Sequence, residues 1–284
     1  MTSSTALLPS VRAAFGSLID YAGLFPPAAL SLAEAETEYA EARRGSHAWM
    51  LGRFIIPAST LAALPEIFDA PFSAIVEADL ASLEQVIELR ERGVRIEALE
   101  IPLRESFASL QEYSLALPAF VEISRTHGWG RRLPQALEEL ARLGLAAKLR
   151  CGGVTADAFP SVDEVGEFIA AAATARIPFK ATAGLHHPVR RLDETSGFTM
   201  HGFLNILAAA ALAPRLPRKT LLSVIAEEDP QAFVFDEDSF AWRSERVVTA
   251  ELEGTRRNAF VSYGSCSFAE PVDDLTALGL LPLV

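Results

Sequence analysis

The stretch KLRCGGVTADAFPSVDEVGEFIAAAATARIPFKATAGL, residues 148–185, contains the pattern that decides the fold. Short runs typical of β-strands stand at both of its ends. Between them, Ser161 and Glu164 form a capping box, which predicts the start of a helix. The apolar residues Val165, Phe168 and Ile169 follow at a helical spacing. A strand, a helix and a second strand in this order are the repeating unit of an α/β fold.

The same alternation of strands and helices extends over most of the chain. Helices are predicted over residues 80–92 and 134–143, each followed by a glycine, and over an N-terminal segment that Ser31 and Glu34 cap and that ends near Gly45. The predicted strands are AWMLGRFIIP (48–57), FSAIVEAD (72–79), RIEALEIPL (95–103), AFVEIS (119–124), LAAKLRC (145–151), PFKATAG (178–184), AFVFD (232–236) and AFVSYGSC (259–266).

Eight strands separated by helices within 284 residues favour a (β/α)8 TIM barrel of the α/β class over a doubly wound sheet. We therefore predict one domain over residues 1–284, in which residues 1–46 form an N-terminal helical segment that packs on the barrel. The seventh strand is the least regular part of the pattern. Residues 201–213 predict a helix, and residues 231–248 predict either a simple seventh strand or a hairpin insertion.

Composition and charge narrow the classes of partner. Half of the residues are hydrophobic, and the net charge of −12 with a pI near 5.0 argues against nucleic acid or an anionic membrane as the main partner. The N-terminus does not resemble a secretory signal, and the apolar run at 202–214 is too short to span a bilayer. Two distant cysteines fit a reduced cytoplasm. A small-molecule substrate, including a small anion, agrees with these numbers, and homo-oligomerisation stays open.

Alternation along the predicted strands places charged side chains on the inward face of the barrel. Glu100, for example, lies between the outward-facing residues Leu99 and Ile101. Buried charges need partners, and barrel active sites lie at the carboxyl ends of the strands. These charges therefore form the candidate functional site, and mutual neutralisation of strand-end charges is the alternative. The predicted ring has one residue on each of the first six predicted strands: Arg53, Glu77, Glu100, Glu122, Lys148 and Lys180.

Three parts of the sequence resemble deoxyribose-phosphate aldolases, in the same chain order. Residues 148–185 resemble the fifth strand, helix and sixth strand of that family, with PFKATAG at the place of its Phe-Ile/Val-Lys-Thr-Ser-Thr-Gly motif. LIDYAGLFPPA (18–28) is similar to the family's opening Ile-Asp-His-Thr-Leu-Leu-Lys-Pro, and SYGSCS (262–267) to its last-strand phosphate loop. The chain also resembles a set of bacterial proteins of unassigned function that share KATAGLHHP and GSCSF.

The resemblance implies a class I aldolase-type lyase in which Lys180 forms a Schiff base with a carbonyl substrate. It also implies a phosphate or anion site in the turn Gly264–Ser267. This chain departs from the family's pattern in two respects. The family's second essential lysine, on strand seven, has no evident match, and its strand-three aspartate corresponds to either Glu97 or Glu100.

The chemistry of a lysine nucleophile indicates which residues would assist it. A lysine amine attacks a carbonyl only when neutral, so the site must lower its pKa from about 10.4. A neighbouring cation, Lys148 or Arg150, is predicted to do so, and Glu100 or Glu122 is predicted to carry protons. The predicted catalytic residues are Lys180, Lys148, Glu122 and Glu100, and the predicted substrate-binding residues are Arg53, Glu77, Arg150, Thr182, His186, Gly264 and Ser265.

Two hypotheses of other classes stay open beside the Schiff base. Glu77, Asp79, Glu100 and Glu122 would place carboxylates on three consecutive strands, as in barrels that hold Mg2+ or Mn2+ and stabilise enolates. In that mechanism the lysines act as general bases, whereas the Schiff-base mechanism requires no metal and no other cofactor. The third hypothesis is a barrel without catalysis that binds a small metabolite or a protein partner.

Overall fold

The computed structural model describes residues 7–64, 66–76, 80–102, 117–125, 128–194 and 196–282. We number its helices and strands in chain order. The helices are α1 (Pro9–Phe15), α2 (Leu32–Arg44), α3 (Ala58–Ala62), α4 (Leu80–Glu91), α5 (Trp129–Arg142), α6 (Val162–Ala175), α7 (Phe203–Leu212), α8 (Arg218–Ile225), α9 (Thr249–Asn258) and α10 (Ala269–Ala277). The strands are β1 (Ile19–Tyr21), β2 (Leu51–Pro57), β3 (Phe72–Ile75), β4 (Ile96–Pro102), β5 (Ala119–Glu122), β6 (Ala146–Arg150), β7 (Phe179–Thr182), β8 (Arg191–Leu192), β9 (Thr199–Met200), β10 (Phe233–Phe235), β11 (Ser239–Trp242), β12 (Glu245–Val248) and β13 (Phe260–Ser265).

Eight strands close into a barrel in the order β1-β13-β7-β6-β5-β4-β3-β2, and every neighbouring pair is parallel. Helices surround the barrel, so the predicted (β/α)8 TIM barrel of the α/β class is confirmed. The outward faces of the strands are apolar and buried under these helices, as Leu99, Ile101 and Val121 illustrate. The inward faces carry the polar residues discussed below.

The first barrel strand differs from the prediction. Residues 1–46 were expected to be helical, yet β1 lies within them and pairs with β2 on one side and β13 on the other. This strand has three residues, all buried, so it offers no alternation of apolar and polar positions from which to predict it. The strands predicted as first to sixth are therefore the second to seventh strands of the barrel.

Residues 232–236 are not a barrel strand, and the hairpin alternative is correct. Strands β10, β11 and β12 form a separate antiparallel sheet over residues 233–248. Phe240 of this sheet is fully buried and lies against the rings of Phe233 and Phe235. The sheet is thus an insertion between α8 and α9, and the barrel is closed by β13.

The predicted helices are largely confirmed. Both capping boxes are present, at the start of α2 and at the start of α6. The helix predicted over 134–143 begins earlier, at Trp129, and contains Pro134 within it. Among the helices of the described residues, none combines the length and apolarity needed to cross a bilayer.

The strand register brings inward-facing polar residues to one level of the barrel. Glu122 pairs with Lys148, Lys148 with Lys180, and Lys180 with Ser262. Because side chains of paired residues in a parallel sheet point the same way, these four side chains lie side by side. The fold therefore assembles a polar cluster in the barrel from strands that are far apart in sequence.

Candidate functional site

Lys180 lies inside the barrel with its side chain fully buried. Its Nζ donates hydrogen bonds to Asp20 Oδ2 at 2.7 Å and to Glu100 Oε1 at 2.6 Å. It also lies over the ring of Phe120, 5.6 Å from the centroid. Burial favours the neutral amine, but the charges and hydrogen bonds of the two carboxylates outweigh burial and raise the pKa of Lys180 above its ordinary value. Lys180 is therefore a protonated ammonium in this arrangement.

Glu100 joins the two lysines of the site. Its Oε1 contacts Lys180, and its Oε2 lies 2.8 Å from Nζ of Lys148. Ser73 donates a further hydrogen bond to Oε1 at 2.9 Å. Burial raises the pKa of Glu100, yet the charges of Lys148 and Lys180 more than offset it and hold the pKa well below its ordinary value. Glu100 is therefore an ionised carboxylate despite its burial.

Glu122 and Arg150 complete the cluster toward solvent. Lys148 Nζ lies 3.2 Å from Glu122 Oε2, and Arg150 Nε donates to Glu122 Oε1 at 2.7 Å. Burial raises the pKa of Glu122, but Lys148 and Arg150 lower it to below its ordinary value. With Asp20 included, the cluster contains three cations and three carboxylates, which are Lys148, Arg150, Lys180, Asp20, Glu100 and Glu122. Side-chain exposure falls from 45% at Arg150 through 19% at Glu122, 7% at Lys148 and 1% at Glu100 to 0% at Lys180.

Asp20 belongs to this cluster. It was not among the predicted catalytic or substrate-binding residues, and only the family resemblance marked it as a site residue, with a turn-capping role as the alternative. It comes from β1, the strand that the pattern did not reveal. Ser262 Oγ donates to its Oδ2 at 2.7 Å, and the backbone N–H of Arg53 donates to its Oδ1 at 2.8 Å. The resemblance of residues 18–28 to the aldolase opening was the available signal. A fully buried aspartate held by three donors is a fixed counter-charge for Lys180.

The scarcity of lysine makes the two buried lysines informative. The chain has 25 basic residues, of which only Lys148, Lys180 and Lys219 are lysines. Lys219 is exposed on α8, and the other two share one carboxylate inside the barrel. Arginine cannot act as a neutral nucleophile, whereas lysine can lose its proton when its surroundings allow it. The two buried cations beside Glu100 are thus lysines, which can lose a proton and act as nucleophiles, and not arginines.

The predicted substrate-binding residues lie in several places. Thr182 is in register with Arg150 on one side and Gly264 on the other, at the carboxyl ends of three neighbouring strands. Ser265, the last residue of β13, is buried. Glu77 and Asp79 fall outside the described residues.

Arg53 departs from the predicted ring because it lies toward the amino ends of the strands. Its Nη1 is 3.9 Å from Asp20 Oδ1, and its Nε is 3.6 Å from Glu97 Oε2. Glu97 is partly exposed and binds no lysine of the cluster, which leaves Glu100 as the carboxylate in contact with both lysines. Arg53 therefore contacts the site through Asp20 alone.

His186 and His187 connect the segment after β7 to helix α10. His186 Nδ1 lies 2.9 Å from Glu270 Oε2, and His187 Nδ1 lies 2.7 Å from Asp274 Oδ2. The hydrogen bond from His186 lowers the pKa of Glu270. Both rings therefore have carboxylate partners outside the lysine cluster. These contacts connect α10 to the segment that follows β7.

Within the described residues, no three His, Cys, Asp or Glu side chains converge as metal ligands do. Glu100 and Glu122, the two described carboxylates of the metal hypothesis, are each bonded to cations. Cys151 and Cys266 are buried free thiols, and burial raises the pKa of both. The described geometry thus resembles an ion-pair network built around lysines.

Comparisons with known proteins add little to this description. No family model matches the chain, and no curated protein matches it. Among solved structures, the chain is similar to a dihydropyrimidinase from Brevibacillus agri NCHU1002, with 14% identity and a TM-score of 0.21. That alignment covers 78% of this chain and 44% of the other, so the chain spans less than half of that protein's length. We therefore base the function on the site alone.

Proposed function

We propose that this protein is an aldolase-type carbon–carbon lyase that acts on a small carbonyl compound through a lysine Schiff base. The observation that carries the proposal is the pair of lysines on one carboxylate, with Lys148 and Lys180 at 2.8 Å and 2.6 Å from Glu100. Two amines and a proton acceptor in contact supply a nucleophile, a second cation and a base. These are the groups that Schiff-base chemistry requires.

The pattern of ion pairs favours Lys148, instead of Lys180, as the nucleophile. Loss of the proton from Lys180 would leave Asp20, which is fully buried, with only Arg53, whose Nη1 lies 3.9 Å from Asp20 Oδ1. Loss of the proton from Lys148 leaves Glu122 with Arg150 and Glu100 with Lys180. A poorly compensated buried charge costs up to roughly 3–5 kcal/mol, so these ion pairs favour Lys148 as the amine that reacts. Lys148 is also nearer to solvent and to an entering substrate.

The count of barrel strands supports the same assignment. The PFKATAG motif aligns Lys180 with the Schiff-base lysine of deoxyribose-phosphate aldolases, but that family carries its Schiff-base lysine on strand six and its second lysine on strand seven. With β1 included, the sixth and seventh barrel strands are β6 and β7, which carry Lys148 and Lys180. The lysine that was missing from strand seven in the sequence comparison is then Lys180.

The proposed reaction proceeds through covalent steps that balance. The neutral amine of Lys148 adds to the carbonyl carbon to give a carbinolamine, and its hydroxyl takes a proton from solvent through Glu122 and leaves as water, which gives the protonated Schiff base. Glu122 accepts the proton of the β-hydroxyl while the carbon–carbon bond breaks and its electron pair moves into the Schiff base, which gives an enamine. Protonation of the enamine carbon and addition of water release the second product and restore the amine.

The remaining predicted residues suit the binding of a polar substrate. Arg150 is partly exposed beside Glu122, whereas the predicted turn Gly264–Ser267 begins within β13, and its residues Gly264 and Ser265 are buried. The guanidinium of Arg150 suits a phosphate or another anion on the carbonyl compound. We propose a cytoplasmic location and a small-molecule substrate as the partner, as the sequence predicts.

Borohydride trapping tests the proposal directly. We expect reduction in the presence of a panel of aldehydes and keto acids to fix one carbonyl compound on Lys148. A modified lysine resists trypsin, so an adduct on Lys148 gives the uncut peptide 143–150, and an adduct on Lys180 gives the uncut peptide 177–190. Lys148→Met should abolish the adduct, and the matched control Lys219→Met should retain it.

Three outcomes would contradict parts of the proposal. An adduct on peptide 177–190 would return the nucleophile to Lys180, as the sequence alone predicted. No adduct with any carbonyl compound, together with activity abolished by a chelator, would favour the metal-dependent mechanism; no adduct and no turnover would favour a barrel that only binds. In each variant, an unchanged melting temperature separates loss of chemistry from loss of folding.

A further inference from the structure

A cavity lies at the end of the barrel opposite to Arg150 and Thr182. Its volume is about 320 Å3, and its wall includes Pro118, Leu145 and Pro178, which immediately precede β5, β6 and β7. These residues mark the amino ends of the strands. The proposed Schiff-base site does not use this cavity.

The charge of the cavity wall is unusual for this acidic protein. Arg53, Arg176 and Arg257 line it, and among the described residues no aspartate or glutamate does, although the net charge of the chain is −12. Arg53 pairs with Glu97 at 3.6 Å and with Asp20 at 3.9 Å, and Arg257 pairs with Glu253 at 3.6 Å. The cavity therefore presents three cations from three different elements to whatever enters it.

Toward the described residues, Arg53 and Arg176 keep hydrogen-bonding groups free, Arg53 at a buried Nε that lies 3.6 Å from Glu97 Oε2 and Arg176 on an exposed side chain. The Nε of Arg53 is buried and has no hydrogen-bond partner within the part of the chain that the structure describes. Arg176 forms no ion pair or side-chain hydrogen bond within that part, and it has a φ of 53° at the C-terminus of α6. Glycine is the usual residue in that left-handed conformation, so an arginine there is a poor choice for the backbone alone.

We propose that this cavity binds a small phosphate monoester. Three guanidinium groups from β2, the end of α6 and α9 suit the three terminal oxygens of a tetrahedral phosphate better than a flat carboxylate. The rest of the wall is mostly apolar, with Phe120, Ile177 and Val261 among its residues, and it suits the organic part of the ester. The site is distinct from the lysine cluster because Phe120 lies between the cavity and Lys180.

Calorimetric titration at constant ionic strength tests this site. Phenyl phosphate is expected to bind saturably and several-fold more tightly than inorganic phosphate, because only the ester contacts the apolar wall. Arg176→Gly suits the positive φ and should stay folded, while it weakens phenyl phosphate binding about tenfold, as expected for the loss of one charged hydrogen-bonding group. Arg257→Ala should have a similar effect. The control Arg44→Ala removes an exposed charge on α2 and should leave the affinity unchanged.

Several results would overturn the inference. Unchanged affinity in both Arg176→Gly and Arg257→Ala, or an equal loss in Arg44→Ala, would mean that binding is not in this cavity. Benzoate binding more tightly than phenyl phosphate would exclude a phosphate site. Lys148→Met should retain the affinity; loss of binding in that variant alone would place the phosphate in the proposed Schiff-base site instead.

Discussion

At the scale of single residues, Lys148 and Lys180 show how similar contacts give different properties. Both contact Glu100, but only Lys180 also holds Asp20, a carboxylate with no exposed surface. Lys148 instead shares Glu122 with Arg150. The removal of one charge therefore leaves a different set of unpaired groups in each case. This difference can be measured as stability.

We predict that Lys180→Met destabilises the protein more than Lys148→Met. The loss for Lys180→Met should be about 3–5 kcal/mol in the free energy of unfolding, because the buried Asp20 loses its hydrogen-bonded cation and keeps only Arg53 at 3.9 Å. Lys148→Met should cost about 1–2 kcal/mol, since each carboxylate that it contacts keeps another cation. Urea denaturation near neutral pH measures both, and Lys219→Met is the exposed control, expected within about 0.5 kcal/mol of wild type.

An equal or larger loss in Lys148→Met would contradict this account of the pairs. The double variant Asp20→Asn with Lys180→Met gives an independent check. It removes the unpaired charge along with its partner, so it should be more stable than Lys180→Met alone.

At the scale of elements, the ends of β6 and β7 are held together by a close approach of their backbones. Gly184 follows β7 with a φ of +65°, and a Cβ there would lie 2.8 Å from the carbonyl oxygen of Cys151 and 2.9 Å from Cα of Gly152. Only glycine fits this contact without displacement of a neighbouring strand end. These two strands carry the two lysines of the site.

We predict that Gly184→Ala is markedly more destabilising than Gly279→Ala. Both glycines have positive φ, but a Cβ at Gly279, beyond α10, would meet no atom within 4 Å. Gly279→Ala should cost only the backbone strain, roughly 1–2 kcal/mol. Gly184→Ala adds a clash worth about 1–3 kcal/mol more. Denaturant unfolding measures the loss of unfolding free energy in each variant. Equal losses would show that the ends of β6 and β7 can move apart without an energetic cost.

At the scale of the whole molecule, the cluster of three cations and three carboxylates makes the free energy of unfolding depend on pH in both acid and base. The pKa of Glu100 is lowered by folding, so its contribution is complete above its ordinary value of 4.5 and is lost as the pH falls through the folded pKa. The pKa of Lys180 is raised by folding, so its contribution is complete below 10.5 and is lost as the pH rises through the folded pKa. The cluster therefore stabilises the protein most between these limits.

We predict that the difference in stability between wild type and Glu100→Gln depends on pH in one direction. It should be constant from about pH 5 to pH 9 and shrink below about pH 4.5, where Glu100 of the unfolded wild type takes up a proton. Unfolding free energies measured across this range test the sign. A difference that grows in acid would mean that Glu100 is protonated in the folded protein.

The sequence predicts much of the fold and the inward direction of four residues of the site. Alternation within strands predicts the inward direction of Glu100, Glu122, Lys148 and Lys180, and these four residues do meet. Helix ends follow from local hydrogen bonds, so the capping boxes predict α2 and α6 correctly. Such features depend on residues a few positions apart, and a sequence displays them directly.

The tertiary structure alone decided which strand closes the barrel and which charges pair. Strand β1 is too short for a pattern, and its place depends on pairing with β2 and β13. The partner of Lys180 on that strand, Asp20, is 160 residues away in sequence. Burial of both groups makes this ion pair costly to break. The sequence by itself thus determined which residues face the centre, and only the closed barrel, by excluding water from them, determined what each can do.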